Sequence, residues 1–129
     1  TKGADVLYVG DTGAKHTFYK EEEFQSLGLE LNLKGKLPDV VFYSKELDWI
    51  FLVESVTTYG PIDSKRKIEL EHLFRGANKE LIFVSAFLDK KTMNKFLSDI
   101  SWESEVWIAD NPSHMIHFNG DKFLGPFKK

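Results

Sequence analysis

The sequence predicts an α/β protein with a mixed central β-sheet flanked by helices. Short apolar runs alternate with segments of helical periodicity, in the order β, α, β, β, α, β, α, β. The two strands in the middle of this order, residues 38–43 and 49–57, are apolar on both faces. Strands of that kind are typical of a sheet that is covered on both sides, so we expect helices to pack on each face.

Composition indicates one globular domain. A chain of 129 residues suffices for one hydrophobic core, and 42% hydrophobic and 14% aromatic residues exclude a disordered chain. The lack of cysteine excludes a disulfide framework and a thiolate metal site, and it suits the cytoplasm, which is the expected location. No apolar run approaches the ~20 residues of a membrane span, so no membrane partner is expected. The net charge of −3 argues against a general polyanion binder.

The first predicted elements are a strand and a helix. Residues 4–10 form an apolar run followed by a Gly-Asp-Thr-Gly turn, which predicts a short buried strand. A short helix is predicted over residues 20–27, where Gly28 stops it. Its first turn is acidic, as the helix dipole favours, and contains Glu21, Glu22 and Glu23.

The central strands form a predicted hairpin that opposes two carboxylates. If the hairpin is centred between Glu46 and Leu47 in its polar loop, Asp39 lies directly opposite Glu54. Opposed residues have Cβ atoms about 4.5–5.5 Å apart, and like charges there are destabilising. A divalent cation between the carboxylates would remove that repulsion. Alternatively, one carboxylate lies at a strand end in solvent, or a one-residue slip places the two on opposite faces.

The helix predicted after the hairpin begins with three cations, Lys65, Arg66 and Lys67. Cations in a first turn oppose the helix dipole, whereas a bound anion such as phosphate would reverse that effect. The alternative is that Glu69 and Glu71 neutralise the two lysines, although Lys before Glu is the poorer order for such pairs. On a helical wheel Arg66 falls within the buried stripe, Lys67 flanks it, and Lys65 points away.

The remaining sequence predicts two more strands and a helix. Residues 81–87 form a third core strand, Asp89 caps a helix that ends near residue 97, and residues 105–109 form a last strand. The segment with His114 and His117 is a candidate for one further strand. At that spacing on a strand the two imidazoles point to opposite faces, so we expect structural, hydrogen-bonded histidines and no shared metal. The alternative is that one of them contacts DNA.

A family resemblance is carried by four blocks, GKLPDVVFY, FLVESVTTYGPIDSKRKIELEHL, ELIFVSAF and SEVWIADNPSHMIHFNGDKFLGP. These blocks resemble the BsuBI/PstI-type restriction endonucleases from about Tyr8 to Pro126. Asp39 after Pro38, with Glu54 on the next strand, also resembles the nuclease half-motif Pro-Asp…Asp/Glu-X-Lys. The resemblance implies a restriction-endonuclease-like fold and Mg²⁺-dependent hydrolysis of double-stranded DNA at a specific site. We therefore expect residues 1–129 to be a single catalytic domain that lacks the family's N-terminal DNA-recognition region, with a homodimer as a candidate assembly.

The resemblance also implies a set of site residues. Asp39, Glu54 and the carbonyl of Ser55 would bind the metal. The motif's lysine is replaced here by Val56, and we place its catalytic role on Lys67, with Lys36 and Lys65 as the other candidates. The cations that would bind DNA phosphate are Lys65, Arg66 and Lys67. One glutamate of the acidic helix could join the site, and the sequence does not choose among Glu21, Glu22 and Glu23.

Two other functions are compatible with these residues. One is a repair or junction-resolving nuclease of the same superfamily, which would cut DNA by its structure. The other is a DNA-binding module with an inactive site, an interpretation that Val56 favours because it cannot supply a cation.

Overall fold

The computed structural model describes residues 4–10, 16–29, 36–57 and 60–120. Within these ranges the strands are β1 (Ala4–Gly10), β2 (His16–Tyr19), β3 (Val40–Ser44), β4 (Trp49–Ser55), β5 (Glu80–Phe87), β6 (Ser104–Ile108) and β7 (Met115–Phe118). The helices are α1 (Glu21–Ser26), α2 (Ser64–Leu73) and α3 (Lys90–Lys95), with 3₁₀ turns over Arg75–Ala77 and Leu97–Asp99. None of the helices in the described ranges has the length and apolar composition needed to cross a lipid bilayer.

The seven strands form one mixed sheet, which confirms the predicted class. Its strand order is β2-β1-β3-β4-β5-β6-β7. The first four strands in this order pair antiparallel, β4, β5 and β6 pair parallel, and β7 returns antiparallel to β6. Helix α2 connects β4 to β5 and α3 connects β5 to β6, because parallel neighbours require a crossover. Helix α2 therefore begins shortly after the end of β4, where Glu54 lies.

The register of the β3–β4 hairpin is the predicted one. The pairs run from Val40 opposite Val53 to Ser44 opposite Trp49, which centres the turn between residues 46 and 47. A hydrogen bond of 2.8 Å from the N–H of Asp48 to the carbonyl of Ser44 closes the turn. Both strands are shorter at their outer ends than predicted, so Asp39 directly precedes β3.

Helices α1 and α2 pack on one face of the sheet. Strand pairing places Val41, Leu52 and Phe83 side by side on this face. Phe24 of α1 and Leu70 of α2 are buried against them in one hydrophobic cluster. By strand parity, the predicted carboxylate pair belongs to the same face, since Asp39 is two residues from Val41 and Glu54 is two from Leu52.

Helix α3 also packs on this face, where Met93 and the C-cap residue Phe96 contact the cluster that contains Phe87. Phe87 shares strand parity with Phe83, which shows that all three described α-helices cover the same side. The expectation of helices on both faces is therefore not met within the described residues. On the opposite face, large aromatic side chains cover one another, as in the stacked pair Phe42–Phe51 with ring centroids 4.6 Å apart.

The two edge strands, β2 and β7, are each four residues long and are difficult to predict from sequence. Strand β2 is not predicted, because its four residues contain no apolar run; the strand exists through pairing of Phe18 with Val9 and Tyr19 with Tyr8. Strand β7 is the candidate strand around His117, and it borders β6 at the other edge. The turn predicted after β1 lies outside the described residues from position 11 onward.

Candidate active site

Asp39 is held at the start of β3 by its backbone and by its side chain. Its carbonyl accepts a hydrogen bond of 2.7 Å from the N–H of Gly10 on β1. Its Oδ2 accepts one of 2.7 Å from the N–H of Ser55 at the end of β4. The carboxylate is thus fixed beside the residue that follows Glu54, although Asp39 itself is exposed.

Glu54 lies opposite Asp39 when the β3–β4 ladder is extended by one pair. Its side chain is only 16% exposed, and its Oε1 accepts hydrogen bonds from Arg66 Nε at 2.8 Å and Nη2 at 2.5 Å. The contacts of the two carboxylates use Asp39 Oδ2 and Glu54 Oε1. Within the described residues, Asp39 Oδ1 and Glu54 Oε2 have no hydrogen bond and are available to another ligand.

Arg66 connects three parts of the site. It lies in the first turn of α2, where its own N–H donates to Oδ1 of the N-cap residue Asp63 at 2.8 Å. Besides Glu54, its guanidinium donates to the carbonyl of Lys36 at 2.9 Å and to Glu69 Oε1 at 3.3 Å. The side chain is 13% exposed. The guanidinium therefore ties α2 to β4 and to the segment that precedes Asp39.

The donor atoms at this position fit a hard divalent cation. The described residues contain no cluster of three or more Asp, Glu, His or Cys side chains that could hold a metal, so a cation here would depend on the two carboxylates. A third protein oxygen is available, because a strand residue directs its N–H and its C=O to the same side. The Ser55 carbonyl therefore faces the side on which its N–H meets Asp39. One or two carboxylates completed by water and phosphate oxygens are the usual Mg²⁺ environment.

The negative charge of Asp39 affects the pKa of Tyr8 on β1. Burial raises the pKa of the Tyr8 phenol, and the negative charge of Asp39 raises it further. A Cβ atom on Gly10 would lie 3.1 Å from the Tyr8 hydroxyl, so the ring lies along the end of β1 that contacts Asp39. Tyr8 is therefore a neighbour of the carboxylate pair that the sequence analysis does not single out.

Val56 occupies the position where the nuclease half-motif has lysine, and it is buried. Its side chain is 4% exposed and packs in a cluster with Phe87 and Ile100. Its N–H donates to the carbonyl of Ala86 at 2.8 Å, which anchors the end of β4 to β5. A lysine ammonium at this position would be buried in apolar surroundings, which is costly. The position is part of the core, so any cation at the site comes from another element.

Among the three cations at the start of α2, Arg66 is the one whose contacts reach the carboxylate pair. Lys67 extends towards the β6 side instead, with Nζ 3.4 Å from the carbonyl of Trp102 and 3.9 Å from Glu103 Oε1. Its ammonium also lies 5.5 Å from the ring centroid of Phe83. These contacts of Lys67 do not include Glu54, and its predicted catalytic role stays a prediction.

The other candidate lysines are exposed. Lys65 lines an open cavity of about 330 Å³ whose other lining residues are Asp63, Ser64 and residues 98–102. Lys36 contributes its backbone carbonyl to the Arg66 guanidinium. The ion pair between Arg66 and Glu54 is the feature that sequence analysis missed, although the position of Arg66 inside the buried stripe was a signal for it.

The glutamates of α1 have contacts with their own helix. Glu21 Oε2 accepts a hydrogen bond from Gln25 at 3.3 Å, and Glu23 lies 3.9 Å from Lys20. All three glutamates are exposed, and none of their contacts involves the carboxylate pair. The structure therefore gives no support to a metal ligand from this helix.

His114 and His117 each have a hydrogen-bonding partner for Nδ1. His117 on β7 lies opposite Glu105 on β6, and its Nδ1 is hydrogen-bonded to Glu105 Oε2. His114 precedes β7, and its Nδ1 lies 2.9 Å from the Ser113 hydroxyl. Because His114 lies outside β7, the two imidazoles are not on opposite faces of one strand, and the expectation of no shared metal stays a prediction.

Comparison with known proteins gives consistent results. Residues 1–121 match the sequence profile of the BsuBI/PstI restriction endonuclease domain. The chain is 48% identical over 126 residues to the type II restriction enzyme BsuBI of Bacillus subtilis, covering 98% of this chain and 40% of that protein. It is 34% identical over 126 residues to the type II restriction enzyme AplI of Arthrospira platensis, covering 92% and 39%. The structure of the SdaI restriction endonuclease matches with a TM-score of 0.85 and 42% identity, covering 98% of this chain and 40% of that one.

These matches support the fold, and they show how much of each relative the chain corresponds to. The agreement with SdaI confirms the restriction-endonuclease-like fold that the sequence predicts. The chain spans about two fifths of the length of the relatives that it matches.

Proposed function

This chain belongs to the BsuBI/PstI restriction endonuclease domain family, and from that premise we propose that it is the catalytic domain of a type II restriction endonuclease. It would hydrolyse phosphodiester bonds of double-stranded DNA at a specific site, with Mg²⁺ as cofactor. The observation that carries the proposal is the opposition of Asp39 and Glu54 on one face of the β3–β4 hairpin, with Asp39 fixed by the N–H of Ser55.

The proposed metal ligands are Asp39 Oδ1, Glu54 Oε2 and the Ser55 carbonyl. When bound, Mg²⁺ supplies a water of lowered pKa and stabilises negative charge on the phosphate. The contribution of the chain is orientation. The Ser55 N–H would hold Asp39 Oδ2 in place while Oδ1, which has no hydrogen bond among the described residues, binds the metal. Arg66 offsets the repulsion between the two carboxylates in the metal-free protein.

The start of α2 is the proposed phosphate-binding element. Lys65, Arg66 and Lys67 place positive charge beside the N–H groups at the helix start, where the dipole favours anions. For Lys67 to reach the scissile phosphate, its ammonium has to leave Glu103. That ion pair is long, at 3.9 Å, and its side chains are 20% and 28% exposed, so little energy is lost when it separates.

Recognition of a specific DNA sequence is the part of the proposed activity that we do not assign to these residues. Relatives that are named type II restriction enzymes are matched over only about 40% of their length. We therefore place recognition of the DNA sequence in residues outside these 129 and propose double-stranded DNA in the cytoplasm as the substrate. A homodimer would present one carboxylate pair to each DNA strand.

Digestion of a supercoiled plasmid by the full-length protein that contains this chain, with the 129-residue chain alongside, tests the proposal. We expect discrete fragments with Mg²⁺ and none with EDTA. A junction-resolving nuclease would leave a plain plasmid without discrete bands and would cut branched DNA. Binding without cleavage in both Mg²⁺ and Mn²⁺ would identify an inactive DNA-binding module and refute the proposal.

A further inference from the structure

We propose that Arg66 is a positioning residue that competes with the divalent cation for Glu54, so that metal binding and DNA binding are coupled. The inference rests on the proposed function, because it concerns the same carboxylate pair. In the metal-free protein Arg66 is the partner of Glu54. When the cation arrives, the guanidinium leaves Glu54 and becomes available to a DNA phosphate.

The Arg66–Glu54 ion pair is short and largely buried. Two nitrogens of Arg66 converge on the single atom Glu54 Oε1, at 2.8 and 2.5 Å. The side chains are only 13% and 16% exposed. By contrast, the Lys67–Glu103 pair measures 3.9 Å. Water screens the Arg66–Glu54 ion pair less than an exposed pair, so the electrostatic energy of this pair is larger. A metal ion that displaces Arg66 from Glu54 has to compensate for that energy.

The charge of the site also favours competition between Arg66 and a divalent cation. Asp39 and Glu54 contribute two negative charges and Arg66 one positive charge, which leaves a net charge of −1 for an incoming divalent cation. A cation bound at Oε2 would lie within a few ångströms of the guanidinium, where like charges repel strongly in a partly buried site. We therefore expect the free protein to bind Mg²⁺ weakly.

DNA would relieve this repulsion, because its phosphate can bind both the Arg66 guanidinium and Mg²⁺. Guanidinium binds phosphate with two parallel hydrogen bonds, and Mg²⁺ takes phosphate oxygens as ligands. Arg66 lies in the first turn of α2, where the helix start also favours phosphate. If Arg66 transfers from Glu54 to phosphate, DNA raises the affinity for metal, and by linkage metal raises the affinity for DNA by the same factor.

Calorimetric titration of Mn²⁺ into the chain without DNA tests the competition. We expect Arg66→Gln to bind Mn²⁺ about five-fold or more tightly than the wild type, the lower end of typical coupling between two ligands. Arg66→Lys keeps the charge, so its affinity for Mn²⁺ should lie closer to that of the wild type than the affinity of Arg66→Gln does. A residue with a merely structural role would give the opposite sign, because loosening Glu54 would weaken the site.

The matched control is Arg75→Gln, which removes the same charge from an exposed residue near His72. Arg75 lies nine residues further along, beyond the last residue of α2, and the length of that helix alone, about 15 Å, exceeds the screening length at physiological salt. The affinity of the Arg75→Gln variant for Mn²⁺ should equal that of the wild type within about two-fold. Circular dichroism of each variant establishes that it is folded.

A measurement on the wild type removes the dependence on variants. The ¹⁵N–¹H signal of Arg66 Nε reports the hydrogen bond to Glu54, and saturation with Mg²⁺ should shift this signal and speed its exchange with water. If Mn²⁺ binds and Asp39→Asn abolishes binding, but Arg66→Gln binds no more tightly and the Nε signal is unchanged, the competition is refuted and the proposed function stands. If neither the wild type nor Arg66→Gln binds Mn²⁺, the cation site itself is refuted.

Discussion

Asp39 Oδ2 and the backbone N–H of Ser55 form a hydrogen bond of 2.7 Å that crosses from the start of β3 to the end of β4. Because the donor is a backbone group, this bond orients the Asp39 carboxylate without a side-chain partner. Glu54, one residue earlier on β4, depends instead on the side chain of Arg66. The two carboxylates of the proposed site are therefore held by different kinds of contact, and their substitution should have different consequences for stability.

Asp39→Asn should leave the free energy of unfolding within about 0.5 kcal/mol of the wild type, since the amide oxygen still accepts from the Ser55 N–H and the residue is exposed. Glu54→Gln should lower it by about 1–3 kcal/mol, because the partly buried Arg66 loses its charged partner. Urea unfolding without metal measures both values. Equal effects of the two substitutions would contradict the role assigned to Arg66.

Lys67→Ala should slow single-turnover DNA cleavage by about 10²-fold or more, the scale of losing one transition-state contact. The matched control is Glu103→Gln, which weakens the same 3.9 Å ion pair and keeps the lysine. If the ion pair is the important feature, both variants should be impaired alike. If Lys65→Ala or Lys36→Ala slows the chemistry and Lys67→Ala does not, the assignment to Lys67 is wrong.

The turn of the β3–β4 hairpin should give a pH-dependent contribution to stability. Tyr43 donates a hydrogen bond of 2.5 Å to Asp48 Oδ1, and Lys79 lies 2.9 Å from the same oxygen. The hydrogen bond from Tyr43 lowers the pKa of Asp48, and Lys79 lowers it further. Their hydrogen bonds to Asp48 raise the pKa of Tyr43 and of Lys79.

A lowered carboxyl pKa stabilises the fold above about pH 4, and this stabilisation is lost as the pH falls. The raised pKa values of Tyr43 and Lys79 add stability that is lost as the pH rises above about 10. Asp48→Asn should therefore be less stable than the wild type at neutral pH, with a difference that shrinks at both extremes. Asn tolerates the positive φ of 59° at this position. A difference that does not vary with pH in urea unfolding would rule out this cluster.

Gly76→Ala should destabilise the protein, since a Cβ at Gly76 would lie 2.6 Å from the carbonyl oxygen of Gly28. The backbone after α1 and the 3₁₀ turn after α2 touch here, and overpacking of this kind costs about 1–3 kcal/mol. Gly60→Ala is the control, because its Cβ would meet only Phe96 at an ordinary 3.9 Å. Comparable unfolding midpoints for the two variants would show that the contact can relax.

The sequence predicts the hairpin register well because two constraints agree. The polar loop marks the turn, and a slip by one residue would reverse every apolar side chain of the strands. The opposition of Asp39 and Glu54 follows when the observed register is extended by one pair beyond Val40 and Val53. Strand β2 was not predictable in this way, since a four-residue strand at the sheet edge is defined by its partner and not by its own pattern.

The assignment of cations was less predictable for a different physical reason. A helical wheel gives the direction in which Arg66 and Lys67 leave α2, but their long side chains choose partners from other elements. Arg66 finds Glu54 and the Lys36 carbonyl, whereas Lys67 finds Trp102 and Glu103. Likewise, the burial of Val56 depends on contacts with Phe87 and Ile100, which no local pattern contains.

The central claim is that Asp39 and Glu54 together bind the metal that cleaves DNA. Single-turnover cleavage of plasmid DNA by the full-length protein with Mg²⁺, compared among the wild type, Asp39→Asn and Glu54→Gln, tests it most directly. We expect each substitution to reduce the rate by at least about 10²-fold, since each would remove a proposed charged ligand of the metal. Near-wild-type cleavage by either folded variant would contradict the claim.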